Sequence, residues 1–311
     1  MEILIQLFLL GAGFFLLVKG ADWFVDGACN IATRFHIPQL IIGLTIVAMG
    51  TSAPEAAVSI TAASKGVADI TIGNIVGSNI MNVLVILGLA AAIIPLKVAR
   101  STIRIEIPFM ISMTVLLLVL GLDGIISFTD GLILTAFFLV YLGYLMYSAK
   151  KNPADSEEED ESVRPMQLWQ AIAALLIGLG CILLGSDVAV DAATALARIF
   201  GLSERLIGLT IVALGTSLPE LVTSITAARK GSADIAIGNI VGSNIFNILF
   251  VVGLSSLLIP VPFAHAFLSD TVVAIFAAVF LLIACLRSHK LGRGAGLLMP
   301  GTYAAYLLFL M

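Results

Sequence analysis

The sequence predicts an all-α polytopic membrane protein of ten transmembrane helices, arranged as two inverted five-helix repeats. Three observations carry that prediction. Of 311 residues, 60% are hydrophobic and only 12% charged, whereas soluble domains carry about 25% charged residues. Apolar stretches recur at the length a bilayer demands, about 20 residues. A segment beginning at Ile42 occurs again at Ile207, the mark of an internal duplication.

Taken in chain order, the predicted spans fall near 3–28, 38–64, 70–94, 105–121, 130–148, 168–196, 204–228, 235–258, 269–286 and 293–311. The first follows Met-Glu-Ile-Leu, which lacks the basic start of a cleavable signal, and is read as a retained span. The hydrophilic connection before the sixth span holds Asp155, Glu157, Glu158, Glu159, Asp160 and Glu161. It has no EF-hand spacing and reads as a solvated linker. The expected division is a first repeat over 1–149, an acidic linker over 150–166 and a second repeat over 167–311.

Lys and Arg set the orientation. With the N-terminus outside, the inner loops hold Arg34, Lys97, Arg100, Arg104, Lys150, Lys151, Arg164, Arg229, Lys230, Arg287, Lys290 and Arg293, and the outer loops hold Lys65, Arg198 and Arg205. Twelve against three places the N-terminus outside and the acidic linker in the cytoplasm, in the inner or plasma membrane of a cell. Cys29, Cys181 and Cys285 are unclustered and read as small apolar residues. His36, His265 and His289 fall in predicted loops.

Ile42–Asn82 reads IGLTIVAMGTSAPEAAVSITAASKGVADITIGNIVGSNIMN, and Ile207–Asn247 reads IGLTIVALGTSLPELVTSITAARKGSADIAIGNIVGSNIFN. They align without a gap at an offset of 165 (220 − 55), with about three-quarters of positions identical. Each half holds five predicted spans, an odd number, so the second half enters from the opposite side. Inverted repeats of this kind build two alternative accesses around one midplane site.

The repeated Gly-Thr-Ser-x-Pro-Glu motif sits mid-span in both halves. Pro54 and Pro219 remove one N–H each and break the helix, which frees the carbonyls of Gly50 and Gly215. Beside each break stands a carboxylate, Glu55 or Glu220. A carboxylate at the bilayer centre costs at least about 2.5 kcal/mol, a cost that a bound cation offsets. Asn74, Ser78, Asn79 and Asn82 in span three are matched by Asn239, Ser243, Asn244 and Asn247 in span eight. Ser78 and Asn82, four apart, share one helix face. Gly73, Gly77, Gly238 and Gly242 form small-residue stripes that permit close helix approach. Carboxylates, hydroxyls, amide oxygens and freed carbonyls make an all-oxygen site, the ligand chemistry of Ca²⁺. Two glutamates supply −2, matching one Ca²⁺ or about two monovalent ions. Nothing in the pattern points to a soft transition metal.

The paired Gly-Thr-Ser-x-Pro-Glu and Gly-Asn-x-x-Gly-Ser-Asn-x-x-Asn segments resemble the two alpha-repeats of the cation/Ca²⁺ exchanger superfamily, closest to prokaryotic Na⁺/Ca²⁺ antiporters. The resemblance implies an ion-binding core of helices 2, 3, 7 and 8, with Ca²⁺ held by Glu55 and Glu220 and by backbone oxygen of Thr51 and Thr216. It also implies flanking Na⁺ sites, one using the Ala48 carbonyl, Ser52 and Ser243, the other the Ala213 carbonyl, Ser217 and Ser78. Asn82 and Asn247 would line the centre. Some family members carry aspartate at the position of Asn247, so this chain is one potential charge poorer. The implied activity is secondary antiport of Ca²⁺ against Na⁺, extruding Ca²⁺. An H⁺-coupled or K⁺-dependent exchanger of the same fold is the alternative, and a passive cation channel the rival from another class. The expected partners are the lipid bilayer and the transported ions Ca²⁺ and Na⁺, or H⁺. No cofactor, nucleic acid or obligate protein partner is expected, and no enzyme activity, since the spans lack a Ser/His or His/Glu/His constellation.

Other polar residues read as structural. Asp69 and Asp234 are expected as N-caps of spans three and eight. Asp22, Asp26, Asp187 and Asp191 are expected to form interfacial hydrogen bonds, and Glu106 reads as an interfacial charge. Spans one and six are the expected gates.

Overall fold

The computed structural model describes residues 2–66, 68–151, 165–201 and 213–310. The described residues are mainly helical: α1 (Glu2–Arg34), the bent pair α2 (Gln39–Thr51) and α3 (Ala53–Ser64), then α4 (Ile70–Ile93), α5 (Thr102–Asp123), α6 (Phe128–Lys151) and α7 (Leu168–Ile199). The second half continues with α8 (Ala213–Thr216), α9 (Leu218–Arg229), α10 (Ala233–Leu258), α11 (His265–Leu286) and α12 (Arg293–Leu310). Among the described residues, seven helices are long and apolar enough to cross a bilayer, and the α2–α3 pair makes an eighth. The expected seventh span begins within 202–212, outside the described residues, and the expected tenth is helical as α12. The acidic residues Asp155–Glu161 also lie outside the described residues.

Burial sorts the helices into a centre and a rim. In α10, 94% of the most apolar window is buried, and in α4 78%, against 17% in α1 and 22% in α6. A helix buried all round must be apolar all round, as the run Ile235–Phe246 is apart from its asparagines and Ser243. Gly238 and Gly242 let α10 lie against α2: a Cβ on Gly242 would stand 2.7 Å from the Leu44 backbone. Gly73 and Gly77 correspond by the repeat to these two, but residues 204–212, which make up most of the segment equivalent to α2, lie outside the described residues.

At the rim, α1 and α7 form one antiparallel pair. Gly13, Gly20 and Gly27 recur every seven residues on α1 and face Gly185, Gly178 and Ala171 on α7. A Cβ on Gly27 would meet the Ala171 carbonyl at 2.6 Å. At 1.5 Å per residue the 33-residue α1 is about 50 Å long, well beyond the roughly 30 Å of a hydrocarbon core.

Short strands staple the halves together. β1 (Leu96–Lys97) pairs antiparallel with β4 (Lys290–Leu291), and β2 (Ile125–Ile126) with β3 (Val261–Pro262). Adding 165 converts β1 into β3 and β2 into β4 (96 + 165 = 261; 125 + 165 = 290), so the pseudo-twofold axis exchanges the two staples.

Three local expectations are corrected. Ser232, not Asp234, occupies the N-cap position, and Asp234 sits in the first turn, where its charge still complements the helix dipole. Asp69 is likewise no cap: the capping position is Ala68, and Asp69 follows it in the helical turn that leads into α4. Glu106 is no interfacial charge: it is 3% exposed, in a π-helical turn over Thr102–Glu106, and accepts a hydrogen bond from Tyr144 of α6 at 3.1 Å. His36 and His289 lie in turns at positive φ, but His265 opens α11.

Candidate intramembrane cation site

The site is built from the two broken helices. α2 and α3 meet at 51°, with the break at Ser52. Pro54 lacks the N–H that would bond the Gly50 carbonyl, so the chain turns at φ −81°, ψ 10° and restarts as α3. Ser217, at φ −92°, ψ 3°, repeats the break between α8 and α9. Glu55 and Glu220 thus fall in the first turns of α3 and α9, facing the positive ends of those half-helices. The preceding half-helices point their C-terminal carbonyls at the same place, which favours a cation.

The sequence-predicted residues converge. Glu55 and Glu220 are each 1% exposed and are electrostatic neighbours. Ser52 Oγ donates to Glu220 Oε1 at 2.8 Å; Thr51 and Ser243 lie close to Glu220, with Thr51 Oγ1 donating to Asn239 Oδ1 at 3.0 Å. The repeat-related Thr216 and Ser78 lie close to Glu55. Ser243 Oγ reaches the Ala48 carbonyl at 3.4 Å. Ala213 opens α8 at the start of the described stretch. The Oε2 atoms of both glutamates, the Oδ1 atoms of Asn82 and Asn247, and Ser217 Oγ are buried without a hydrogen-bond partner. Five unpartnered oxygens, two of them carboxylate, form a donor set suited to a hard cation.

The copies differ at the freed carbonyls. Ser186 of α7 donates to the Gly215 carbonyl at 2.8 Å. The equivalent position on α1 is Ala21 (186 − 165), which has no donor to offer Gly50.

Four asparagines of the repeated motif have a task that the sequence does not assign. Asn79 Nδ2 donates to the Asn244 carbonyl at 3.2 Å, and Asn244 Nδ2 donates to the Asn79 carbonyl at 3.1 Å. Asn82 Nδ2 donates to Asn244 Oδ1 at 3.0 Å, and Asn247 Nδ2 to Asn79 Oδ1 at 3.1 Å. This reciprocal cross ties α4 to α10 on the pseudo-twofold axis. It consumes the amide donors of Asn82 and Asn247 and leaves their oxygens available. π-helical turns begin at Asn82 and Asn247, a local rewinding frequent at functional sites. Further out, Asn74 Nδ2 bonds the Glu55 carbonyl and Ser59 at 3.2 and 3.0 Å. Asn239 Nδ2 bonds the Glu220 carbonyl and Ser224 at 3.5 and 2.9 Å. They hold the glutamate backbones in place, and their signal in the sequence is the strict repetition of Ser-Ile-Thr-Ala and Gly-Asn.

Fold and site together define a polytopic, inverted-repeat membrane protein with an all-oxygen, doubly carboxylate centre at mid-depth. Comparison with known proteins narrows the class. The family model described as Sodium/calcium exchanger protein matches residues 5–147 and 170–311, and the chain belongs to that family. It is 43% identical over 307 residues to the putative antiporter CaxA of Alkalimonas amylolytica, covering 96% of each chain. It is 32% identical to the sodium/calcium exchanger MaX1 of Methanosarcina acetivorans, covering 99% of each. A solved structure of the sodium-calcium exchanger NCX_Mj, soaked with zero Na⁺ and Ca²⁺, superposes with a TM-score of 0.86 at 32% identity, covering 99% of this chain and 100% of that one.

Proposed function

We propose that the protein is a secondary antiporter that exchanges Ca²⁺ for Na⁺ by alternating access and extrudes Ca²⁺. The observation that carries this reading is the meeting of two buried carboxylates from inverted copies of one broken helix, surrounded by unpartnered oxygens. Ca²⁺ takes oxygen ligands in flexible geometry. Glu55, Glu220 and the backbone oxygens of Thr51 and Thr216 are its ligands in this reading, with Asn82 and Asn247 at the centre. Ser52, Ser243 and Ala48 flank it on one side, Ser217, Ser78 and Ala213 on the other, as Na⁺ sites. The solved relative is named a sodium-calcium exchanger, which supports Na⁺ as the counter-ion. Either cation neutralises charge that is costly at this depth, so the loaded centre is the form that moves between accesses.

Ca²⁺ uptake into Na⁺-loaded proteoliposomes tests the coupling. Uptake should rise with the outward Na⁺ gradient and vanish when monensin dissipates it. Uptake that ignores the Na⁺ gradient but follows a pH gradient would assign the same centre to H⁺ coupling.

A further inference from the structure

We infer that Lys230 with Asp22 and Asp26 forms a charged latch closing one side of the molecule, and that Lys65 with Asp187 and Asp191 is its inverted copy, closing the other side in the alternate state. The inference rests on the alternating-access reading and deepens it by naming what holds each access shut. Lys230, just beyond α9, reaches Asp26 Oδ1 of α1 at 2.6 Å, the Asp22 carbonyl at 2.9 Å and Asp22 Oδ1 at 3.6 Å. Adding 165 to 22, 26 and 65 gives 187, 191 and 230, so the same trio exists twice in the sequence. Only one copy is engaged. Lys65, Asp187 and Asp191 are exposed, and among the described residues no ion pair joins them.

The packing of whole helices follows the same asymmetry. α1 packs along α9, whereas α7 makes no comparable packing against α3, its counterpart by the repeat. Val58 on α3 is 42% exposed, but the equivalent Thr223 on α9 is fully buried. Ala57, Val58, Thr61, Ala62 and Lys65 line a shallow, largely open surface along α3. Among the described residues, the side bearing Lys230 is thus the tightly packed one and the side bearing Lys65 the more exposed one. Because α1 and α7 are locked through their glycines, a slide of the pair that parts Asp22 and Asp26 from Lys230 carries Asp187 and Asp191 along the core as well. One lysine is released as the other is approached.

The two latches are unequal. Cys29 Sγ lies 3.4 Å from Ser232 Oγ, and Asn30 Oδ1 accepts from the Met166 N–H at 2.8 Å. The equivalents of Cys29, Asn30 and Ser232 are Thr194, Ala195 and Val67, and neither Ala195 nor Val67 has a polar side chain. The Lys230 side thus carries additional clasps, which biases the molecule toward the state with that side shut.

Thr61 and Thr226 occupy equivalent positions, the first exposed and the second 8% exposed. Each is replaced by cysteine in a chain carrying Cys29→Ser, which keeps a polar partner for Ser232, with Cys181→Ala and Cys285→Ala, and maleimide labelling rates are measured on the purified protein in detergent without Na⁺ or Ca²⁺. Lys230→Ala and Asp26→Asn should each speed labelling of Thr226→Cys about fivefold, the scale of a partly exposed ion pair, and slow that of Thr61→Cys. The charge swap Lys230→Asp with Asp26→Lys should restore the original rates. Unchanged labelling in both single variants would overturn the latch, and so would faster labelling at both positions, which reads general loosening. The readout needs no transport. A labelling shift in a protein that moves no Ca²⁺ keeps the latch and removes the antiporter reading, and Ca²⁺ movement without the shift does the reverse.

Discussion

Glutamine at position 55 or 220 keeps the shape of the side chain and removes its charge, so it separates ligand chemistry from packing. Glu55→Gln and Glu220→Gln should each abolish Ca²⁺ movement in proteoliposomes, a loss of more than about 100-fold for a central carboxylate ligand. Both variants should still elute as the native species in size-exclusion chromatography; full Ca²⁺ movement in either would sink the assignment of the centre. These two residues stand out in the sequence because a carboxylate inside a span is costly and rare, and here it occurs twice, each time beside a proline break. Asn79 and Asn244 are visible in the same motif, but their reciprocal bonds join positions 165 residues apart (244 − 79). No local pattern distinguishes an asparagine that lines a site from one that braces the asparagine beside it. Glu106 misleads for a related reason. Its neighbour Arg104 suggests an interface, yet the π-helical turn rotates Glu106 inward against Tyr144 while Arg104 stays exposed.

At the scale of elements, the glycine seam of α1 and α7 sets how the rim pair behaves. Gly27→Val places a β-carbon into the Ala171 carbonyl, with backbone rather than a movable side chain in the way. Overpacking of this kind costs about 1–3 kcal/mol, so the variant should melt several degrees lower and label faster at Thr226→Cys. Gly11 on the same helix has nothing within 4 Å of where a β-carbon would lie, and Gly11→Val should melt like the parent. Equal melting of the two variants would remove the seam's structural role. The broken helices are legible from Pro54 and Pro219, since a missing N–H is a property of the residue itself. The seven-residue glycine spacing is present in the sequence too, but only the tertiary structure identifies α7 as what α1 faces.

For the whole molecule, the two repeats are one folding unit rather than two domains set side by side. α10, from the second repeat, is the most buried of the long helices and rests against α2 from the first. The strand staples and the asparagine cross also run between halves. Residues 167–311 expressed alone should fail to give a monodisperse species in detergent. Co-expression with residues 1–149 should restore a complex that elutes as the intact chain; a stable, monodisperse isolated half would contradict this.

The sequence by itself determined that the chain spans a membrane, that its halves are duplicated and inverted, and that each contributes a carboxylate beside a broken helix. Those properties follow from composition, from an odd number of spans per copy and from proline's missing donor, all of which are local. The tertiary structure decided which of the two repeated charged trios is engaged. Lys230 and Lys65 have nearly the same neighbours in sequence, and only the position of α1 and α7 against the core gives one of them its aspartates. A duplicated sequence writes the same charged trio twice, and which copy is engaged depends on packing between segments far apart in the chain, which no local pattern records.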